Sequence, residues 1–193
     1  TKRDLLAEFS VPDRAPFKDV KVVAEGKSGY RVACEAESAA VPKLIAQDIP
    51  VGLGTDGPAG SNNDFDMFEE MDLAAKLQKV ASGNPRALPA LQALEMATIT
   101  GARALHMEKM IGSLEKNKRA DMIMIQANAP HTVPMYNVYS QLVYALKGSD
   151  VSDVMVNGRA IVREHRMLTL DSAAVLAKAA EYAERVKRSL AAK

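Results

Sequence analysis

The stretch Val51-Gly-Leu-Gly-Thr-Asp56-Gly-Pro-Ala-Gly-Ser-Asn-Asn-Asp64 decides the reading of this chain. A short apolar run ends in a lone acid, glycines follow, and a helix start comes next. Parallel strands of α/β folds present their chemistry at the carboxyl end in this way. Pro50 to Gly54 therefore reads as a short buried strand, and Asp56 as a carboxylate delivered to one face of the fold. Upstream, Val41 to Gln47 reads as a short helix, with Pro42 in its first turn, where a missing N–H costs little. Helix followed by strand predicts a parallel α/β unit.

Downstream, Asn63 to about Val80 reads as a helix. Asn62 or Asn63 can cap it, and Asp64, Asp66, Glu69 and Glu70 place negative charge where the helix dipole favours it. Phe68, Met71 and Ala75 form its apolar stripe, and Gly83 is its stop. Leu88 to Ala97 and Ile99 to Met107 follow as two short helices with Thr98 as the cap between them. The pattern then turns strand-like at Ala120 to Ile125, Ser140 to Leu146 and Val154 to Val156. Asn157-Gly158 between two β-branched runs is a two-residue hairpin signal. Asp171 to Leu190 closes the chain as an amphipathic helix. Val175, Ala179, Val186 and Leu190 share a face, and Glu181/Arg185 and Glu184/Arg188 stand at i,i+4 spacing. Before residue 40, Lys18 to Ala24 and Tyr30 to Ala33 read as strands between Pro and Gly punctuation.

The chain has 193 residues, 48% hydrophobic and 25% charged, with net charge +1. That is a globular composition with no basic excess to draw nucleic acid or an anionic membrane. Trp is absent and aromatics are few, against a base-stacking surface. The single cysteine, Cys34, excludes an intramolecular disulfide and fits a reducing, cytoplasmic compartment. No apolar run is long enough to span a membrane, and the first residues lack a signal-peptide core.

Each candidate residue has a plainer alternative. Asp56 before Gly57 is also an ordinary turn aspartate. Ser61, Asn62 and Asn63 follow it on the same loop and can line a substrate pocket, while helix capping explains Asn63 fully and is the weightier reading. His106 reads as a partly buried helix residue, His131 as a loop residue after Pro130, and His165 as solvated among Arg163, Glu164 and Arg166. Glu35 and Glu37 would raise the pKa of Cys34, against a nucleophilic role. Met122 and Met124 read as core fillers.

Residues 41 to about 170 resemble the C-terminal part of the amidohydrolase superfamily, in the branch of the 5-methylthioadenosine/S-adenosylhomocysteine deaminases and chlorohydrolases. The matching pieces, in order, are Val41-Pro-Lys-Leu-Ile, Gly52-Leu-Gly-Thr-Asp56-Gly, Ser61-Asn-Asn-Asp64-Phe-Asp-Met-Phe-Glu-Glu-Met71 and Ala97-Thr-Ile-Thr-Gly-Ala-Arg-Ala-Leu105. Ile111-Gly-Ser-Leu-Glu, Lys118-Arg-Ala-Asp-Met-Ile, His131-Thr-Val-Pro-Met-Tyr and Val154-Met-Val-Asn-Gly-Arg159 complete the series. The resemblance implies an α/β fold: the C-terminal part of a TIM-like (β/α)8 barrel, part of a small β-sandwich, and a C-terminal helix. The implied segments are 1–40 unassigned, 41–109 the last strand and helices of the barrel, 110–168 the sandwich portion, and 169–193 the terminal helix.

Such enzymes carry one divalent metal, zinc or iron, held by an early His-x-His pair, two later histidines and the aspartate after the last strand. The metal acidifies a water that attacks an amidine-like carbon and expels ammonia. Asp56 matches that aspartate. The chain departs from the pattern elsewhere. It has no His-x-His, and His106, His131 and His165 all follow Asp56. This implies a truncated C-terminal portion, inactive and binding no metal alone, whose small-molecule site a complementing N-terminal half completes. The enzymatic expectation is hydrolytic deamination of an adenosine-like nucleoside or related heterocycle. The alternative is a non-catalytic truncated relative serving as a subunit or assembly module. A partial barrel also exposes strand edges and apolar helix faces, which predicts self-association.

Overall fold

The computed structural model describes residues 20–24, 30–34, 41–57 and 64–191. Strands β1 (Val20–Ala24) and β2 (Tyr30–Cys34) pair antiparallel, Val22 opposite Val32, as the strand readings before residue 40 expect. The helices are α1 (Val41–Ala46), α2 (Met67–Ser82), α3 (Ala90–Ala97), α4 (Ile99–Ala104), α5 (Val138–Tyr144) and α6 (Ser172–Ala191). Strands β3 (Met122–Ile125), β4 (Val151–Val156), β5 (Arg159–Arg163) and β6 (Arg166–Met167) form one antiparallel sheet in chain order. The mixture of helix and strand is that of an α/β protein. Two compact units divide it: Thr1–Lys118 with Ala127–Gly148, and Arg119–Gln126 with Ser149–Lys193. Ala127–Gly148 thus sits with the helices, where the sequence placed it among the strands of 110–168.

In the first unit, Asp66 caps α2. Its Oδ1 accepts the Phe68 N–H at 2.9 Å, and its Oδ2 accepts the Gly148 N–H at 3.1 Å. The cap expected at Asn62 or Asn63 lies outside the described residues, and the helix begins later than either. Phe68, Met71, Ala75 and Gln78 form the buried face of α2. Gly83 ends it in the left-handed conformation (φ 62°) as a C-terminal glycine does. Lys79 lies near that end, and its ammonium donates to the carbonyls of Ala75 and Leu88 and to the Tyr144 hydroxyl at 3.1 Å. One cation thus ties α2 to the turn before α3 and to α5.

The segment Ser140 to Leu146, read as a strand, is instead the helical α5 and its exit. Asn137 caps it by accepting the Ser140 N–H at 2.9 Å. Val143 and Leu146 are buried three residues apart, a helical spacing. β-Branched and aromatic residues bias the local sequence toward strand, and packing against α2 and α3 overrides that bias. Thr98 stands at the N-cap position of α4, as expected, but its side chain makes no capping bond. Its hydroxyl donates back to the Leu94 carbonyl at 2.7 Å, a bond that bends helices.

A core of Val41, Val51, Leu88 and Met96 is flanked by Leu44, Ile45, Leu53 and Ala74. The Val51 segment crosses it with little room. A β-carbon on Gly52 would stand 3.1 Å from the Gly101 Cα, and one on Gly101 would stand 2.7 Å from the Met96 carbonyl oxygen. Leu53 N–H donates to that same oxygen at 3.2 Å. The strand expected over Pro50 to Gly54 does not form: the segment is irregular and joins no ladder among the described residues. A parallel strand needs neighbours to take its N–H and C=O groups.

In the second unit, Asn157 (φ 49°) and Gly158 (φ 77°) make the expected two-residue hairpin turn. The Gly158 N–H reaches the Ala120 carbonyl at 3.0 Å. Glu164 and His165 are also both left-handed (φ 47° and 60°) and turn β5 into β6. Met122 and Met124 lie on an exposed strand, not in a core, with Met124 64% exposed. Helix α6 is capped by Asp171, whose Oδ1 accepts the Ala174 N–H at 3.0 Å. Its ion pairs are Lys178–Glu181 and Lys187–Glu184, both 2.7 Å and i,i+3, in place of the glutamate–arginine pairs expected. Such exposed pairs contribute little.

Gly101→Ala is expected to lower unfolding free energy by about 1–3 kcal/mol through overpacking against the Met96 carbonyl, read by urea denaturation. Gly54→Ala, with open space around it, serves as the tolerated control. A second expectation concerns the turn before the sheet. The Ser113 hydroxyl donates to the Glu115 carboxylate, and Lys118 bonds both. The Ser113 hydrogen bond, then Lys118, holds the Glu115 carboxyl below its usual value of 4.5. A depressed carboxyl stabilises the fold above its unfolded pKa and loses that contribution as pH falls through the folded value. Amide protection factors in residues 113–118, corrected for the intrinsic slowing of exchange in acid, should therefore fall as pH drops below 4.5. Glu115→Gln should remove that pH dependence.

Candidate functional site

Asp56 stands at the end of the segment anchored by Gly52 and Leu53. Two residues after Gly54 the chain turns sharply, and Asp56 takes a left-handed backbone (φ 53°). Among residues with a β-carbon, Asp and Asn adopt this region most readily, because a short polar side chain can bond the local backbone. Asp56 does so: its Oδ1 accepts the Gly57 N–H at 2.7 Å. The Thr55 hydroxyl donates to the Asp56 carbonyl at 3.3 Å. The carboxylate is exposed, on a backbone fixed from one side by the α3–α4 junction. It is an acid held in a defined place and accessible to a small molecule.

Ser61 and Asn62, the other candidates, lie outside the described residues. Past them, Asp64 Oδ1 accepts the Asp66 N–H at 3.1 Å, and Asp66 caps α2. Asp64 and Asp66 are thus two further acids used structurally. Sequence reasoning missed that role for Asp66. Its partner Gly148 is 82 residues away, and only the fold brings the two together.

Among the described residues, no histidine joins Asp56 in a group of three possible metal ligands. His106, expected to be partly buried, is exposed and left-handed (φ 55°) just beyond α4. Its N–H closes that turn on the Arg103 carbonyl at 2.9 Å. His131 lies in a loop, exposed, with its carbonyl accepting from Gln141 Nε2 at 3.1 Å. His165, in the second unit, is exposed in its tight turn, as read. Cys34 closes β2. A cleft of about 450 Å³ is lined by Ile45, Pro50, Glu95, Thr100 and Arg103 among others. It lies at the Pro50 end of the segment, and neither Asp56 nor its neighbours line it.

A catalytic zinc needs three protein ligands and an open position. Among the described residues no group of three His, Cys, Asp or Glu side chains converges to hold an ion. These residues alone do not fit a complete metal site. Among the described residues, no helix is long and apolar enough to cross a membrane.

Residues 8–161 match the amidohydrolase family. The match begins well before Val41, where the motif series starts. The chain is 42% identical over 180 residues to 5-methylthioadenosine/S-adenosylhomocysteine deaminase 1 of Syntrophus aciditrophicus, covering 92% of this chain and 40% of that protein. It is 47% identical over 146 residues to a 5'-deoxyadenosine deaminase of Methanosarcina acetivorans, covering 76% of this chain and 33% of the relative. Among solved structures, an adenosine deaminase from Xanthomonas campestris with bound zinc superposes with a TM-score of 0.73 at 37% identity, over 77% of this chain and 34% of that one. A zinc complex of atrazine chlorohydrolase from Arthrobacter aurescens superposes at 0.61 with 26% identity, over 73% and 31%. The chain thus spans well under half the length of these relatives. On the extent of the match and the order of its motifs, this chain belongs to the amidohydrolase family.

Proposed function

We propose that this chain is the C-terminal portion of a metal-dependent aminohydrolase that deaminates an adenosine-like purine nucleoside, and that Asp56 is its catalytic carboxylate. The observation that carries the reading is the placement of Asp56: exposed, left-handed, and held on a segment pinned to the α3–α4 junction. Pro50 to Gly54 would be the last strand of a TIM-like barrel, gaining its ladder from strands supplied by a complementing polypeptide. The antiparallel sheet of the second unit would form part of the small sandwich. Relatives named for deamination of adenine nucleosides support the substrate class. Zinc in the solved relatives supports a divalent metal, whose histidine ligands would come from outside the described residues.

In such a reaction water oxygen bonds to the amino-bearing ring carbon, the carbon–nitrogen bond breaks, and ammonia leaves. A carboxylate at Asp56 would take the proton released by the attacking water and return one to the departing nitrogen. Its fixed backbone keeps that oxygen in reach without a reordering cost. Ser61 and Asn62, on the same loop, would contact the nucleoside.

The test is complementation. The N-terminal portion of the Syntrophus aciditrophicus relative, co-expressed with this chain, should restore bound zinc and deamination of 5'-methylthioadenosine. Asp56→Asn should lower the complemented rate by about 10²–10⁴-fold, the range of general acid–base contributions. Stability should move differently. Asp56→Asn should leave the urea midpoint nearly unchanged, whereas Asp56→Val should cost about 1–2 kcal/mol, because a branched side chain tolerates a left-handed backbone poorly. A complemented, zinc-loaded pair in which Asp56→Asn keeps full activity would defeat the proposal and favour the assembly-module reading.

A further inference from the structure

Helices α3 and α4 are parted by a single residue. Thr98 ends the first and precedes the second, with a non-helical backbone at φ −129° and ψ −104°. Its N–H donates to the Glu95 carbonyl at 3.1 Å and its hydroxyl to the Leu94 carbonyl at 2.7 Å. Both bonds belong to the end of α3, and its side chain makes no capping bond to α4.

The break leaves one carbonyl for another use. In an unbroken helix the Met96 oxygen would accept from the Thr100 N–H, four residues on. The last carbonyls of a helix have no such partner and must find one elsewhere. The Met96 oxygen accepts the Leu53 N–H at 3.2 Å. Met96 is 2% exposed, so water is no substitute for that donor. Gly101 keeps the approach open, since a β-carbon there would stand 2.7 Å from the same oxygen. Every group in this contact belongs to the first unit, so the chain makes it without a complementing polypeptide. Leu53 is three residues before Asp56.

We infer that Thr98 is a positioning residue for Asp56: by interrupting the helix it gives the Met96 carbonyl to Leu53, and that bond sets where the chain delivers the Asp56 carboxylate. The inference rests on the reading of Asp56 as the reacting acid and adds a residue that acts through it. The side chain suits the task. A hydroxyl can bond back to the carbonyl four residues earlier, and a β-branch disfavours helix. Alanine, the best helix former, would let α3 run on into α4. The Thr100 N–H would then claim the Met96 oxygen, and Leu53 would lose its acceptor. The apolar packing of Val51 in the core does not replace that bond, because dispersion contacts tolerate sliding and a hydrogen bond is directional.

Amide hydrogen exchange on the full chain tests the contact. Thr98→Ala should lower protection of the Leu53 amide about tenfold, as loss of one hydrogen bond does, and raise that of the Thr100 amide. A merely structural role would lower both together. Thr98→Ser keeps the hydroxyl and should match the unsubstituted chain. Thr98→Val keeps the branch without the hydroxyl and should fall between. Thr98 is exposed, so these replacements leave the core intact, as circular dichroism would verify. Should alanine unfold the chain, the valine and serine variants carry the same comparison. In the pair complemented by the N-terminal portion of the Syntrophus aciditrophicus relative, Thr98→Ala should lower kcat about 10²-fold with KM little changed, the cost of displacing a reacting group by about an ångström. Thr98→Ser should restore kcat. Unchanged protection at Leu53 in Thr98→Ala, or a fall at Leu53 and Thr100 alike, would overturn the inference. So would a complemented pair that Asp56→Asn inactivates and Thr98→Ala leaves at full kcat. Full activity in Asp56→Asn would defeat the reading of Asp56 and the positioning role with it, while the exchange result would still report the contact.

Discussion

A β-carbon on Gly52 would meet the Gly101 Cα, and one on Gly101 would meet the Met96 carbonyl oxygen, so backbone packs directly on backbone at this crossing. The helical unit depends on that contact. It fixes where the Val51 segment passes the α3–α4 junction, lets Leu53 hydrogen-bond the same Met96 oxygen, and sets Val51 into the core with Leu88 and Met96. Gly112, left-handed at φ 91°, repeats the theme where the chain leaves α4, since a β-carbon there would stand 2.7 Å from that of Ala102. Close approaches of this kind leave little freedom to the residues that follow, and Asp56 is four residues beyond Gly52.

Three acids close together in sequence show how position decides role. Asp56 bonds its own backbone neighbour and remains exposed. Asp64 bonds the Asp66 N–H, and Asp66 spends both carboxylate oxygens on backbone N–H groups, one in α2 and one at Gly148. Asp66 therefore belongs to the scaffold, and its carboxylate substitutes for backbone acceptors that the helix start and the Gly148 turn both lack.

Charge is distributed to the same effect. Lys79 joins three parts of the helical unit through two carbonyls and the Tyr144 hydroxyl. The pairs on α6 lie in solvent and do little more than keep the helix soluble.

The sequence by itself determined what local chemistry controls. Gly83 as a helix stop, Asp171 at the start of the last helix, and Asn157-Gly158 as a hairpin turn each depend on a backbone angle or a capping bond within a few residues. The motif series that marks the family was also legible, because its residue types and order are properties of the chain. Tertiary structure alone decided the rest. Val138–Tyr144 is a helix because α2 and α3 offer it a face to bury, although its side chains favour strand. Asp66, not an asparagine, caps α2 because Gly148 supplies a second donor from 82 residues away. Pro50 to Gly54 joins no ladder among the described residues because a strand is defined by partners, and a partner is never a property of the segment itself.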